Sequence, residues 1–135
     1  MSVRDIKDEH KTTEGDPLIR ARVRKLQAEM SRKRMLADVP KANVVITNPT
    51  HLAVALRYDR YSMDAPVVLA KGADFLAKKI IKTAKENGIT VVERKPVARF
   101  LYSHVEIGQP IPLELYQAVA EILNFVNRLR SNSAA

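Results

Sequence analysis

The chain contains no cysteine. That excludes a disulfide framework, a thiolate nucleophile and a cysteine metal site, and it suits a reducing compartment. Aromatic residues make up only 5% of the sequence, too few for stacking platforms on single-stranded nucleic acid. No apolar run approaches the roughly 20 residues that a membrane helix needs. The opening MSVRDIKDEHK is rich in charge and lacks the apolar centre of a secretory leader. These absences predict a soluble, cytoplasmic fragment. There is no glycine-rich phosphate loop, since AKGADFLAKK has neither the glycine spacing nor the Lys-Ser/Thr pair. His10, His51 and His104 are not spaced as metal ligands. No serine stands on a sharp strand-to-helix turn. Neither a cofactor nor a metal is expected.

What remains is a basic chain of one-domain size. Its 135 residues are 46% hydrophobic and 28% charged, with a formal net charge of +8. The charge is uneven. Residues 17–36 hold Arg20, Arg22, Arg24, Lys25, Arg32, Lys33 and Arg34 against the single acid Glu29. Such a block suits an anionic partner, namely nucleic acid, lipid headgroups or an acidic protein face. The competing reading is a solvated helix face.

Residues 1–15 read as a polar, flexible lead. Asp16-Pro17 is a helix start, with Asp as cap and Pro at the first helical position. Ile19, Val23, Leu26 and Met30 recur at helical spacing, so one side is thinly apolar and the rest basic. This predicts a helical tether ending near Leu36. Asp38-Val39-Pro40 breaks it. β-Branched content predicts strands over Ala42–Thr47 and His51–Tyr58. In the second, Leu52, Val54 and Leu56 alternate with Ala53 and Ala55, which predicts two buried faces with small residues on one. A third strand is expected over Pro66–Gly72. A helix follows over Ala73–Asn87, closed by Gly88 in the left-handed conformation. Ile89–Glu93 is the fourth strand. Strand, helix, strand predicts a βαβ crossover and a parallel pair. Pro96 opens a short helix to about Ser103, and Pro112 opens the last. The expected fold is α/β: a small mixed sheet of about four strands with a βαβ crossover, three to four surrounding helices and an N-terminal extended helix. In domain terms, residues 1–40 are a basic, partly helical linker, 41–130 a globular domain and 131–135 a disordered tail.

The chemistry concentrates in Asn48-Pro49-Thr50-His51, between the first two strands. An inert turn is one reading, because Asn-Pro is a common turn dipeptide. The other is a reaction. Asparagine ordinarily degrades when the next residue's N–H attacks its side-chain carbonyl, and proline has no N–H. The open route is attack by the Asn48 side-chain nitrogen on its own main-chain carbonyl carbon. That breaks the Asn48–Pro49 bond and leaves a cyclic imide. Asn87-Gly88 is the contrast, since there the N–H is present and slow deamidation is expected. An amide nitrogen is a poor nucleophile. Acceleration from about once a year to about once an hour would need roughly 5–6 kcal/mol. Positioning alone can supply that, and turn strain and oxyanion hydrogen bonds add to it. Thr50 is suited to orient the turn by hydrogen bonding, and His51 to assist proton transfer or make a structural hydrogen bond.

The segments EGDP, RMLADVPKANVVITNPTH, AVALRYD, MDAPVVLAKG, ARFLY, EIGQPIP and ELYQAVAEIL resemble the cytoplasmic domain of the FlhB/YscU family of type III secretion export-switch proteins. RYD, APVVLAKG and EIGQPIP resemble its flagellar branch. The resemblance implies an N-terminal membrane domain outside this fragment, and a location at the cytoplasmic face of the bacterial inner membrane. It also implies one self-cleavage event between Asn48 and Pro49, not a turnover activity. The halves stay associated, and the cut changes export from rod and hook subunits to filament subunits. Implied partners are other export-apparatus membrane proteins, the hook-length control protein and exported subunits, with anionic lipid near residues 17–36 and no nucleic acid. Two positions depart from the family pattern. Leu52 stands where Tyr is usual after the motif, which bears on turn packing and rate. Lys95-Pro96-Val97 replaces a frequent Pro-Pro, which bears on a partner-facing surface. The alternative is a basic nucleic-acid- or protein-binding module with an inert Asn-Pro turn.

Overall fold

A computed structural model describes residues 15–134. The polar lead, its histidine His10 and Ala135 lie outside the described residues, except that Gly15 is included. Helix α1 spans Pro17–Asp38 and runs into a 3-10 turn at Val39–Lys41. Strand β1 is Val44–Asn48, β2 Leu52–Arg57 and β3 Val67–Ala73. Helix α2 is Phe75–Glu86, β4 Val91–Glu93 and α3 Lys95–His104. A 3-10 turn at Leu113–Leu115 leads into α4, Tyr116–Ala134. The last helix thus continues through Ala134, past the start of the tail expected over 131–135.

The described residues divide into two compact units, one ending at Arg34 and one beginning at Met35. The second begins earlier than the boundary expected at 41. The reason is apolar: Met35 and Val39 are buried with Ala42, Val45 and Ile80. In the first unit the helix opens as the sequence predicts. The Asp16 carboxylate accepts the Leu18 N–H at 2.9 Å, which satisfies one of the free donors of the first turn.

The sheet has four strands in the order β3-β2-β1-β4. β1 and β2 form an antiparallel hairpin, from Val44 opposite Leu56 to Asn48 opposite Leu52. β3 continues antiparallel on β2. β4 pairs with β1 in parallel, through Val45–Val91 and Ile46–Val92. The crossover and the parallel pair are therefore present, but the parallel partner is β1. β3 and β4 sit at opposite edges, so α2 carries the chain across two intervening strands. Local pattern fixes strand direction here, and it leaves the choice of partner to the hairpin that already occupies the centre.

The alternation in β2 sorts the core. Val54 and Leu56 join Val44, Ile46, Leu101, Val119 and Ile122 on the face covered by α3 and α4. Ala53 and Ala55 join Ala70, Ala77, Ile80 and Ala84 on the face covered by α2. The small residues let α2 approach the sheet closely. The approach is tightest at Gly72, where an added Cβ would lie 2.6 Å from the Leu76 Cγ. α2 ends as expected: Gly88 has φ 72°, its N–H donates to the Lys85 carbonyl, and the Ile89 N–H donates to the Ala84 carbonyl.

Gly72→Ala is expected to destabilise the domain by about 1–3 kcal/mol through overpacking. Urea unfolding followed by circular dichroism measures this. The loss should shrink when Leu76→Ala is made in the same chain, because the clashing atoms are then gone.

Candidate functional site in the Asn48 to His51 turn

β1, like β2, has neighbours on both edges and helices on both faces, and Val44, Val45 and Ile46 are fully buried. It delivers Asn48 to the sheet end in a fixed position. There the chain reverses within Pro49, Thr50 and His51. The His51 N–H donates to the Asn48 carbonyl at 3.0 Å, which closes a four-residue turn. Pro49 stands second and Thr50, with φ 65°, stands third. That is the pattern of a type II turn, whose third position normally takes Gly or Asn. Thr50 is β-branched, and for such a residue a positive φ is a genuine outlier. Its cost is on the order of 1–3 kcal/mol. Type II geometry also matches poorly the twist of the strands it joins.

Neighbouring backbone holds the turn in that form. On the upstream arm, the Thr47 carbonyl accepts the Arg94 N–H at 3.0 Å. The buried Thr47 hydroxyl also donates to the Val92 carbonyl at 3.5 Å. On the downstream arm, the His51 carbonyl accepts the Asp74 N–H at 2.9 Å. Arg94 and Asp74 are the residues that precede α3 and α2. The turn is thus tied to the starts of two helices, the ends that carry positive dipole.

The structure brings Asn48, Pro49, Thr50 and His51 into one turn, with Asn48 and Pro49 half-buried and Thr50 and His51 exposed. Thr50 contributes its backbone conformation. His51 contributes its main chain, with N–H and carbonyl both engaged. The arrangement leaves one carbonyl, that of Asn48, polarised by an N–H and next to a proline nitrogen. The same residue carries the amide nitrogen that can attack it. Beside the turn, Thr50 and Lys78, Ile81, Lys82, Lys85 and Glu86 of α2 border a shallow hollow of about 380 Å³. Arg20, Arg22, Arg24, Lys25, Arg32, Lys33 and Arg34 all lie exposed on α1. Arg94 and Asp74 escaped the sequence reading because they act through backbone atoms. The available signal was Asp74 itself, at the head of a run that the sequence opens at Ala73 and that begins at Phe75.

A second concavity lies at the other end of the hairpin. It has a volume of about 690 Å³ and lies between the loop after β2 and α4, lined among others by Asn43, Tyr58, Tyr61, Tyr116 and Leu123. The loop is held by Asp59, whose carboxylate accepts the Tyr61 N–H and the Ser62 hydroxyl, each at 3.0 Å. Those bonds, together with the Arg57 charge, keep the Asp59 carboxyl below its usual range. Among the described residues, no helix is long and apolar enough to cross a membrane.

Residues 1–126 match the sequence pattern of the "FlhB HrpN YscU SpaS Family". The chain is 52% identical over 130 residues to the flagellar biosynthetic protein FlhB of Bacillus subtilis, covering 96% of this chain and 36% of that protein. It is also 52% identical over 130 residues to FlhB of Escherichia coli, covering 96% of this chain and 34% of that protein. It thus spans about a third of the length of these relatives. The crystal structure of the cytoplasmic domain of FlhB from Shewanella putrefaciens superimposes with a TM-score of 0.73 at 42% identity, covering 76% of this chain and 79% of that one. A mutated EscU C-terminal domain superimposes with a TM-score of 0.66 at 33% identity, covering 68% of this chain and 92% of that one. The sequence pattern, the relatives and the shared fold agree: this chain belongs to the FlhB HrpN YscU SpaS family.

Proposed function

We propose that this chain is the cytoplasmic part of a flagellar type III export component that cuts itself once, between Asn48 and Pro49, and thereby switches export from rod and hook subunits to filament subunits. The observation that carries the reading is the His51 N–H on the Asn48 carbonyl, within a turn that holds Thr50 at φ 65°. The Asn48 side-chain nitrogen attacks the Asn48 carbonyl carbon. The carbonyl oxygen takes on negative charge and keeps the His51 N–H as its donor. The tetrahedral carbon then releases the Pro49 nitrogen, which leaves as an amine with the proton that the attacking nitrogen gives up. The new bond closes a five-membered imide on Asn48, and water later opens it. The backbone cost at Thr50 is relieved as the turn opens, so it lowers the barrier and does not return with the product.

The partners in this reading are other export-apparatus membrane proteins, the hook-length control protein and exported subunits, at the cytoplasmic face of the inner membrane. The basic segment has its own reading. Ile19, Val23, Leu26 and Met30 are exposed on α1 beside its seven cations, a combination suited to an acidic lipid surface.

The purified chain is expected to give two pieces, residues 1–48 and 49–135, on a denaturing gel, with Pro49 as the new N-terminus by intact mass. They should comigrate in native gel filtration. Asn48→Ala should give one folded, uncut chain. A cut that persists in that variant would defeat the cyclisation chemistry. An intact wild-type chain that binds nucleic acid, with affinity falling steeply with salt, would favour the basic binding module.

Thr50→Gly removes the cost of a positive φ while keeping the turn. Cleavage should slow by about tenfold for every 1.4 kcal/mol of relieved strain, while the unfolding midpoint of the uncut form rises. Pulse-chase cell-free synthesis with rapid denaturing quench gives the rate.

For residues 17–36, anionic headgroups can contribute about 1 kcal/mol per well-placed cation. Circular dichroism should show more helix with acidic than with neutral vesicles, reversed by salt. Equal signals would leave the segment as a protein-docking helix or plain tether. Deleting it should not alter cleavage at Asn48.

A further inference from the structure

Two described non-glycine residues have a positive φ, Thr50 at 65° and Asp74 at 51°. A single residue joins them. His51 gives its N–H to the Asn48 carbonyl and receives the Asp74 N–H on its own carbonyl at 2.9 Å. The conformation of Asp74, φ 51° with ψ −113°, lies in a region that side-chain-bearing residues seldom visit. Its side chain does not explain this, being exposed and making no capping hydrogen bond. The main chain does. The Asp74 carbonyl accepts the Lys78 N–H at 3.1 Å and so opens α2. Its N–H points back to the turn. Two residues earlier Gly72 lies under Leu76, so strand and helix double back on each other within a few residues. Serving both bonds in that space forces the left-handed backbone. Arg94, which ties the other arm to Thr47, does so from φ −148°, an ordinary extended value.

We infer that Asp74 is a positioning residue for the cut: its left-handed backbone aims an N–H that fixes the His51 peptide, and through it the donor on the Asn48 oxygen. The inference rests on the self-cleavage reading. Asp74 touches no reacting atom. It holds His51 from behind, so the His51 N–H stays on the oxygen as charge develops. Strained residues persist where the surroundings over-determine them, and here Asp74 ends the chain of hydrogen bonds that closes the turn containing Thr50.

The test compares Asp74→Gly, Asp74→Asn and Asp74→Val by pulse-chase cell-free synthesis with intact-mass readout. Gly reaches this φ and ψ freely, Asn has the shape of Asp, and both keep the N–H, so both should cleave within about twofold of wild type. Val resists that φ, and its N–H turns away, so cleavage should slow by about tenfold. In the uncut Asn48→Ala chain, the His51 carbonyl carbon shift and the protection of the residue-74 amide should survive in Gly and vanish in Val. If Val fails to fold, an amide-to-ester replacement between Ala73 and Asp74, which deletes only the N–H, should slow cleavage equally. A folded Val or ester chain that cleaves at the wild-type rate overturns the role of Asp74 and leaves self-cleavage standing. A wild-type chain that never cleaves overturns both.

Discussion

The structure depends on β1 having no free side. Both of its edges are paired, and helices cover both of its faces. A strand in that position cannot slide, because a one-residue slip would turn Val44 and Ile46 from one packed layer into the other. Asn48 therefore arrives at the sheet end at one height and in one orientation. The chain must then reverse inside three residues, because Leu52 is already paired opposite Asn48. The second of those three is Thr50, a poor residue for the conformation that the reversal needs. The strain is local, but its cause is the whole sheet. An exposed hairpin with the same four residues could relax by fraying, and this one cannot.

The same frame explains why a cut in the turn need not open the domain. The pairs from Val44–Leu56 to Thr47–Ala53 lie upstream of it, and β1 and β2 each keep their outer partners. A severed chain gains conformational freedom only in the few residues that no longer connect. Burying Val44, Ile46, Val54 and Leu56 outweighs it, at about 1.5–3 kcal/mol for each large apolar side chain. Leu52, where Tyr is usual in the family, is only partly buried and leaves that core intact.

The sequence disclosed the elements that carry their own signals. Asp16-Pro17, Gly88 and the β2 alternation each report local backbone or burial, and each stands where the pattern puts it. Asn48-Pro49 was legible as a turn, and the missing proline N–H is what singles it out for the proposed chemistry. The pairing of β4 with β1 was not legible, since direction is local and partnership is not. The start of the compact unit at Met35 was also hidden, because Met35, Leu36 and Val39 look like the end of a basic tether until their buried neighbours are known. Thr50, expected to orient the turn by hydrogen bonding, also has a positive φ that the sequence did not announce. Such angles leave no mark on composition or periodicity.

The hairpin also separates two surfaces. Its closed end carries the turn, and its open end carries the concavity beside Tyr58, where the Asn43 side chain accepts the Tyr58 N–H at 2.7 Å and the Asn43 N–H donates to the Leu56 carbonyl at 2.8 Å. If the register survives the cut, these bonds survive too, and the concavity keeps its shape. The close packing around β1 resists transmitting strain relief at Thr50 along the strand. The consequence of cleavage then falls where covalent freedom is gained. On the self-cleavage proposal, Pro49 would become a cationic N-terminus, and Asn48 would end in an imide and then, once water opens it, a free carboxylate. Both would arise in the turn whose Thr50 borders a hollow shared with Lys78, Lys82, Lys85 and Glu86. A switch built on the proposed cut would act first through the charge and shape of the turn's own surface.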